Sequence, residues 1–202
     1  MLARYPDVQD KVYKELQEVF GHSERPVTPE DLPRLKYLEA VIKETLRLYP
    51  PVPFIARQVQ KDVTLPSGIT LVEGCGLIIS IWSIHRNPRY WGDDAEQFRP
   101  ERFFDTPLKH PTAFIPFSHG PRNCLGYQYA MMSMKTAVST LLRRYRILPP
   151  EEKNKVSAAE TGSRGGKNES SEAKNRSSEL RVKFDIMMKD VDNFEVQLDL
   201  RI

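Results

Sequence analysis

Residues 86 to 124 carry no sustained period of helix or strand, yet they hold Trp91, Phe98, Phe103, Phe104, Phe114 and Phe117 among many Pro, Gly and Arg residues, as in "HRNPRYWGDD" and "FRPERFF". An irregular stretch of that length inside a compact domain is usually functional or disordered. Disordered segments are poor in aromatic residues, so this one is read as ordered and functional. Any fold for the chain must therefore pack a long irregular segment between regular elements on either side.

Those flanking elements are readable. Pro6 suits the first turn of a helix, and Val8, Val12, Leu16, Val19 and Phe20 follow at helical spacing until Gly21, which predicts a helix over 6–20. In "VTPEDL", Thr28 as cap and Pro29 in the first turn predict a single turn. Leu38, Val41, Ile42, Thr45, Leu46 and Tyr49 form the stripe of a second helix over 35–49, which the Pro50-Pro51 pair ends. The runs "FIARQV", "VTL", "ITLV" and "LIISIW", separated by Gly-containing turns, predict a small sheet. After the irregular segment, "LGYQYAMMSMKTAVSTLLRRYRIL" predicts a third helix, apolar on much of its circumference and so central and buried.

The segment 151–179 lacks aromatic residues and nearly lacks aliphatic ones, so it is expected to be a disordered polar insert. "LRVKFDIMMKD" and "NFEVQLDLRI" on either side of Val191-Asp192 predict a terminal hairpin over 180–202. The balance of 30 Lys plus Arg against 27 Asp plus Glu, with no basic cluster, speaks against nucleic acid as a partner. The two cysteines, Cys75 and Cys124, are too few for a disulfide framework. No early stretch is long and apolar enough to cross a membrane, so an anchor, if one exists, is expected outside this chain.

Cys124 lies in "IPFSHGPRNCLGYQYAMM", directly before the third helix, where amide groups and the positive end of the helix dipole favour a thiolate. Gly120 and Gly126 allow a tight turn and close backbone approach, and Arg122 adds a fixed positive charge. Taken alone, a lone thiol is more often an inert core residue. "ETLR" places Glu44 and Arg47 three apart on one helix face, and Arg102 in "PERF" offers a second guanidinium to the same carboxylate. That triad is read as structural, not catalytic.

Together these residues resemble the cytochromes P-450. "FSHGPRNCLG" matches the haem-binding signature F-x-x-G-x-R-x-C-x-G at Phe117, Gly120, Arg122, Cys124 and Gly126, and E-x-x-R and "PERF" stand upstream in the family's order. The resemblance is nearest to family-4-type animal microsomal enzymes and covers almost the whole chain. It implies an α+β, mainly α, fold: the C-terminal part of the cytochrome P-450 fold, with its J, K and L helices, small sheets, meander and Cys-ligand loop, over 1–150 and again over 180–202. It further implies haem b (iron protoporphyrin IX) with Cys124 as axial iron ligand, Arg122 and Arg57 on its propionates, Phe117 on the sulfur side, and Val52, Pro53, Phe54 and Ile55 along the substrate pocket.

The implied activity is monooxygenation of a small apolar substrate such as a fatty acid, lipid or xenobiotic, with electrons from an NADPH-dependent flavoprotein reductase. The implied location is the cytosolic face of the endoplasmic reticulum membrane, with the anchor and the oxygen-activating distal helix expected ahead of Met1. Lys109, Lys135, Arg143 and Arg144 are candidates for a basic reductase-facing surface, and residues 180 to 184 for a further substrate contact. The alternative is a non-catalytic haem-binding or sensing fragment; a third reading is a structural domain with an inert Cys124. Cys124, His119, His85 and His110 lack the spacing of a zinc site. His22, His85 and His110 are expected on surfaces or polar loops, and Cys75 has no role. "NES" and "NRS" at Asn168 and Asn175 are read as chance glycosylation matches.

Overall fold

A computed structural model describes residues 1–105, 107–150, 182–184, 187–190 and 195–201. The predicted insert over 151–179, with Asn168 and Asn175, lies outside the described residues, as do residues 180 and 181.

Helix α1 (Pro6–Phe20) starts on its proline and ends where Gly21, at φ 57°, donates its N–H to the Gln17 carbonyl. Its buried face, Val8, Val12, Leu16 and Phe20, packs on Leu38, Val41, Ile42 and Leu46 of helix α2 (Lys36–Leu48). Helix α2 has no cap of its own. Glu15 of α1 supplies it, accepting the Tyr37 and Leu38 amides at 2.6 and 2.9 Å and so satisfying two of the donors that every helix start leaves open. The single turn expected at Thr28 forms, with the Asp31 amide donating to the Thr28 carbonyl at 3.1 Å, and a second tight turn follows over Leu32–Arg34. Asp31 fixes the first: its carboxylate accepts the Thr28 amide and hydroxyl and the Arg25 guanidinium.

Two antiparallel pairs replace the single small sheet. Strand β1 (Phe54–Gln58) pairs with β4 (Gly76–Ser80), with Phe54 opposite Ser80 and Gln58 opposite Gly76. Between them β2 (Val63–Thr64) pairs with β3 (Thr70–Leu71) and with no other strand among the described residues. A one-turn helix, α3 (Ile81–Ile84), leads into the irregular segment, whose described residues form two more, α4 (Pro88–Trp91) and α5 (Arg102–Asp105), and a tight turn at Pro111–Ala113. Trp91, Phe103 and Phe114 form their own aromatic cluster there.

Helix α6 (Tyr127–Arg144) differs from expectation twice. It stops at Arg144, because Tyr145–Leu148 becomes strand β5. It is also one-sided: Leu142 is buried in the shared core while Tyr129, Met132, Thr136 and Ala137 are exposed, because α1 and α2 cover only one of its faces among the described residues. The predicted terminal hairpin is likewise replaced. Strand β6 (Val182–Phe184) pairs with β7 (Met188–Asp190), while β8 (Gln197–Leu200) pairs with the distant β5. Arg201 anchors that pairing, its guanidinium 3.8 Å from the centre of the Tyr13 ring and its Nε donating to the Tyr145 carbonyl. Buried Gln9 completes it, exchanging amide hydrogen bonds with the Ile147 N–H and C=O. No helix among the described residues is long and apolar enough to cross a membrane.

Candidate functional site

The framework of the site is a buried ion knot. Arg47 donates to Glu44 through Nε at 2.7 Å and Nη2 at 2.8 Å, and Arg102 Nε reaches the same carboxylate at 2.9 Å. All three side chains are at most 4% exposed, and the Arg99 amide adds a fourth donor at 2.8 Å. What remains of both guanidinium groups is turned on the irregular segment. Arg47 donates to the carbonyls of His85, Ala95 and Gln97, and Arg102 to those of Trp91, Asp94 and Gln97. These contacts tie the backbone between residues 85 and 99 to helix α2.

The loop itself runs from Ile115 to Gly126, the residue that precedes α6. Its ends are drawn together by the Cys124 amide, which donates to the Phe117 carbonyl at 2.8 Å. Ser118 and Gly120 take the left-handed backbone at φ 67° and 81° to make the turn. Phe117 leans on the main core, whereas Cys124 is exposed and Leu125 wholly so. A Cβ built on Gly126 would meet no protein atom within 4 Å, so the space beside Cys124 at the head of the helix is open.

Arg57 joins the sheet to this loop. Its Nη2 lies 3.2 Å from Ser118 Oγ and 3.4 Å from the Arg122 carbonyl, and its Nη1 donates to the Ala56 carbonyl. Arg122 is exposed beside it. Strand alternation divides the other candidates, since successive side chains point to opposite faces. Ile55 shares the half-buried face of Arg57, while Phe54 is 48% exposed and shares its face with Ile78. Pro53 is buried and Val52 exposed, so these four residues do not line one surface.

The proposed basic surface does not assemble. Lys135 is buried and donates to Glu39 at 2.8 Å, and Arg143 lies 4.3 Å above the Phe20 ring while donating to the Ser23 and Arg25 carbonyls. Lys109 caps the Arg89 carbonyl, and Arg144 stays exposed.

The largest departure concerns His85, expected near the surface and found fully buried. Burial, with Arg47 and Arg86 close by, pushes its pKa down to about 4, so the imidazole is neutral at ordinary pH. The apolar run "LIISIWSI" leading straight into it was the available signal. Gln9 and Glu15 gave none, because their partners lie far along the chain.

The chain matches the family model for cytochrome P-450 over residues 1–170. It is 46% identical over 161 residues to cytochrome P-450 4V2 of Mus musculus, covering 79% of this chain and 30% of that protein. The human protein of the same name is 48% identical over 149 residues, or 73% of this chain and 28% of the relative. Probable cytochrome P-450 313a1 of Drosophila melanogaster is 45% identical over 152 residues, again 73% of this chain and 30% of the relative. The chain thus spans under a third of the length of these curated relatives. With a family model matched over most of its length and relatives well above 40% identity, this α+β chain belongs to the cytochrome P-450 family.

Proposed function

We propose that this chain carries the thiolate side of a haem monooxygenase of family-4 type, with Cys124 as the axial iron ligand and α1, α2 and α6 as the family's J, K and L helices. The observation that carries the reading is the presentation of Cys124: an exposed sulfur on a loop closed by its own amide, at the head of an 18-residue helix, next to open space at Gly126.

The residues present fit haem b. The donor assigned to the iron is the Cys124 thiol, and no cluster of three or more His, Cys, Asp or Glu suited to a metal ion occurs among the described residues. Around it lie exposed Leu125, half-buried Phe117 and the cations Arg57 and Arg122, which suit an apolar plane with carboxylates at its edge. When bound, a thiolate-ligated haem supplies dioxygen activation and oxygen-atom insertion. The chain's own tasks are separable. Cys124 would supply the charge, Phe117 and Leu125 would pack against the apolar plane, and Arg57 and Arg122 would hold the carboxylates. Glu44, Arg47 and Arg102 hold the chain entering the loop.

The further assignments follow the family: an apolar substrate such as a fatty acid or other lipid, electrons from an NADPH-dependent flavoprotein reductase, and residence at the endoplasmic reticulum membrane. The test is spectroscopic. Haem-reconstituted chain, reduced under carbon monoxide, is expected to show the red-shifted Soret band of thiolate ligation, and Cys124→Ala to lose it. The same spectrum from both proteins would refute the assignment, and turnover with a reductase present separates an enzyme from a haem-binding module.

A further inference from the structure

The two ring nitrogens of buried His85 engage different parts of the site. Nε2 lies 2.9 Å from the Ile115 amide, which can only donate, so Nε2 is the unprotonated acceptor. The proton of the neutral ring is therefore on Nδ1, which donates to the Arg47 carbonyl at 3.1 Å. The His85 carbonyl returns the contact by accepting Arg47 Nη1 at 2.8 Å, and the ring stacks on Phe114 with centroids 5.3 Å apart. One residue is thus tied twice to the C-terminal turn of α2 and once to the chain that becomes the cysteine loop.

Ile115 is where that loop begins. Its carbonyl accepts the Ser118 amide at 3.0 Å, Ser118 takes the left-handed turn and meets Arg57, and Phe117 then closes on the Cys124 amide. We propose that His85 is a positioning residue for Cys124: a neutral imidazole strut that transmits the fixed geometry of the Glu44–Arg47–Arg102 knot to the entry of the cysteine loop. The charged groups nearest the ring are Arg47 of α2 and Arg86 after α3, both cationic. A proton on Nε2 would add a third positive charge and remove the acceptor that Ile115 uses. The strut therefore works only in the uncharged form, which burial among these cations enforces.

The spectral arm of the test rests on the haem-thiolate reading; the exchange arm does not. His85→Phe keeps ring volume and the stack on Phe114 but leaves the Ile115 amide and the Arg47 carbonyl without partners. His85→Asn and His85→Gln each keep one donor and one acceptor on a neutral side chain. In the haem-free 202-residue chain, amide exchange at Ile115, Ser118 and Cys124 is expected to accelerate roughly 10- to 100-fold in His85→Phe, the loss that follows from an orphaned buried amide. At least one of the two amide variants is expected to restore protection.

In the haem-loaded, reduced chain under carbon monoxide, His85→Phe is expected to lose the thiolate band in favour of a band without it, and the rescuing variant to keep it. Faster exchange confined to Ile115, with Ser118 and Cys124 unchanged, overturns the proposal. So does unchanged exchange in His85→Phe, which would mean that the ring only fills space, and so does a failure of both amide variants to protect better than His85→Phe. If the unsubstituted chain itself gives no thiolate band, the haem reading fails and exchange alone decides the strut.

Discussion

Replacing Glu44 by Gln tests the ion knot with almost no change of shape. The carboxylate is wholly buried and takes three donors on Oε1, from Arg47, Arg102 and the Arg99 amide, and one on Oε2 from Arg47 Nε. A glutamine oxygen in the Oε1 position keeps the three, but its amide nitrogen then faces Arg47 Nε, donor against donor. More costly is the charge. Two buried guanidinium groups lose their shared counter-ion, leaving Arg102, among the described residues, Asp94 at 3.3 Å. Removing one partner from a buried ion pair costs about 3–5 kcal/mol. For a chain of this size that corresponds to a fall in melting temperature of roughly 6–20 °C. The internal control is Lys11→Met, which breaks the pair between Lys11, 53% exposed, and Glu101. Exposed pairs are worth up to about 1 kcal/mol. Urea unfolding of both variants decides the matter: if Glu44→Gln loses no more stability than Lys11→Met, the knot does not organise the segment and the reasoning fails.

Four further outcomes are expected. Gly126→Ala should leave the haem-free chain's melting temperature unchanged, because its φ is −91° and the new methyl meets no protein atom within 4 Å, yet haem titration should show weaker loading. Gly120→Ala, at φ 81°, should instead lower the stability of the haem-free chain by about 1–2 kcal/mol through backbone strain alone, and equal melting curves for the two glycine variants would refute the distinction. Gln9→Leu orphans the Ile147 N–H and C=O and should cost roughly 1–3 kcal/mol in urea unfolding, with exchange rising first along β5 and β8; unaltered exchange there would contradict the role given to Gln9. His85 has a folded pKa of about 4, below the usual His value. Its contribution is therefore full above about pH 6.5 and is lost as pH falls toward 4, at most about 3 kcal/mol, and His85→Asn should flatten that part of the stability–pH curve.

The elements that the sequence made legible are those whose evidence is local. Helices α1 and α2 show apolar stripes bounded by Pro6, Gly21 and Pro50, so their limits agree with the structure to within one residue. Helix α6 is apolar on much of its circumference, and such a pattern says which residues are apolar and not which face meets a neighbour, hence its unexpected exposure at Tyr129 and Met132. Tyr145–Leu148 looks like more helix in isolation and becomes a strand because Gln197–Leu200 arrives to pair with it. At the site, fixed spacing located Cys124, Arg122 and Gly126 within one short stretch. The link from Arg57 to Ser118 spans 61 positions and that from His85 to Ile115 spans 30, and neither leaves a periodic trace.

The irregular segment can be ordered without a ladder because arginine replaces one. A chain without helix or sheet bonds leaves carbonyls that must find donors when buried, and an unmatched one costs free energy comparable to a lost hydrogen bond. Between residues 85 and 97 the carbonyls of His85, Trp91, Asp94, Ala95 and Gln97 all accept from Arg47 or Arg102. A guanidinium presents five donors in a rigid fork, so two of them can fix five carbonyls that no strand could reach at once. Lysine, a point charge with three rotating donors, could not. The price is two buried cations, and Glu44 meets it from the next turn of the same helix as Arg47, which is why the carboxylate sits at i−3 and is wholly buried. On this account Arg102→Lys, which keeps the charge but not the fork, should loosen Trp91, Asp94 and Gln97 together, and hydrogen exchange across 91–105 would register it as one cooperative opening.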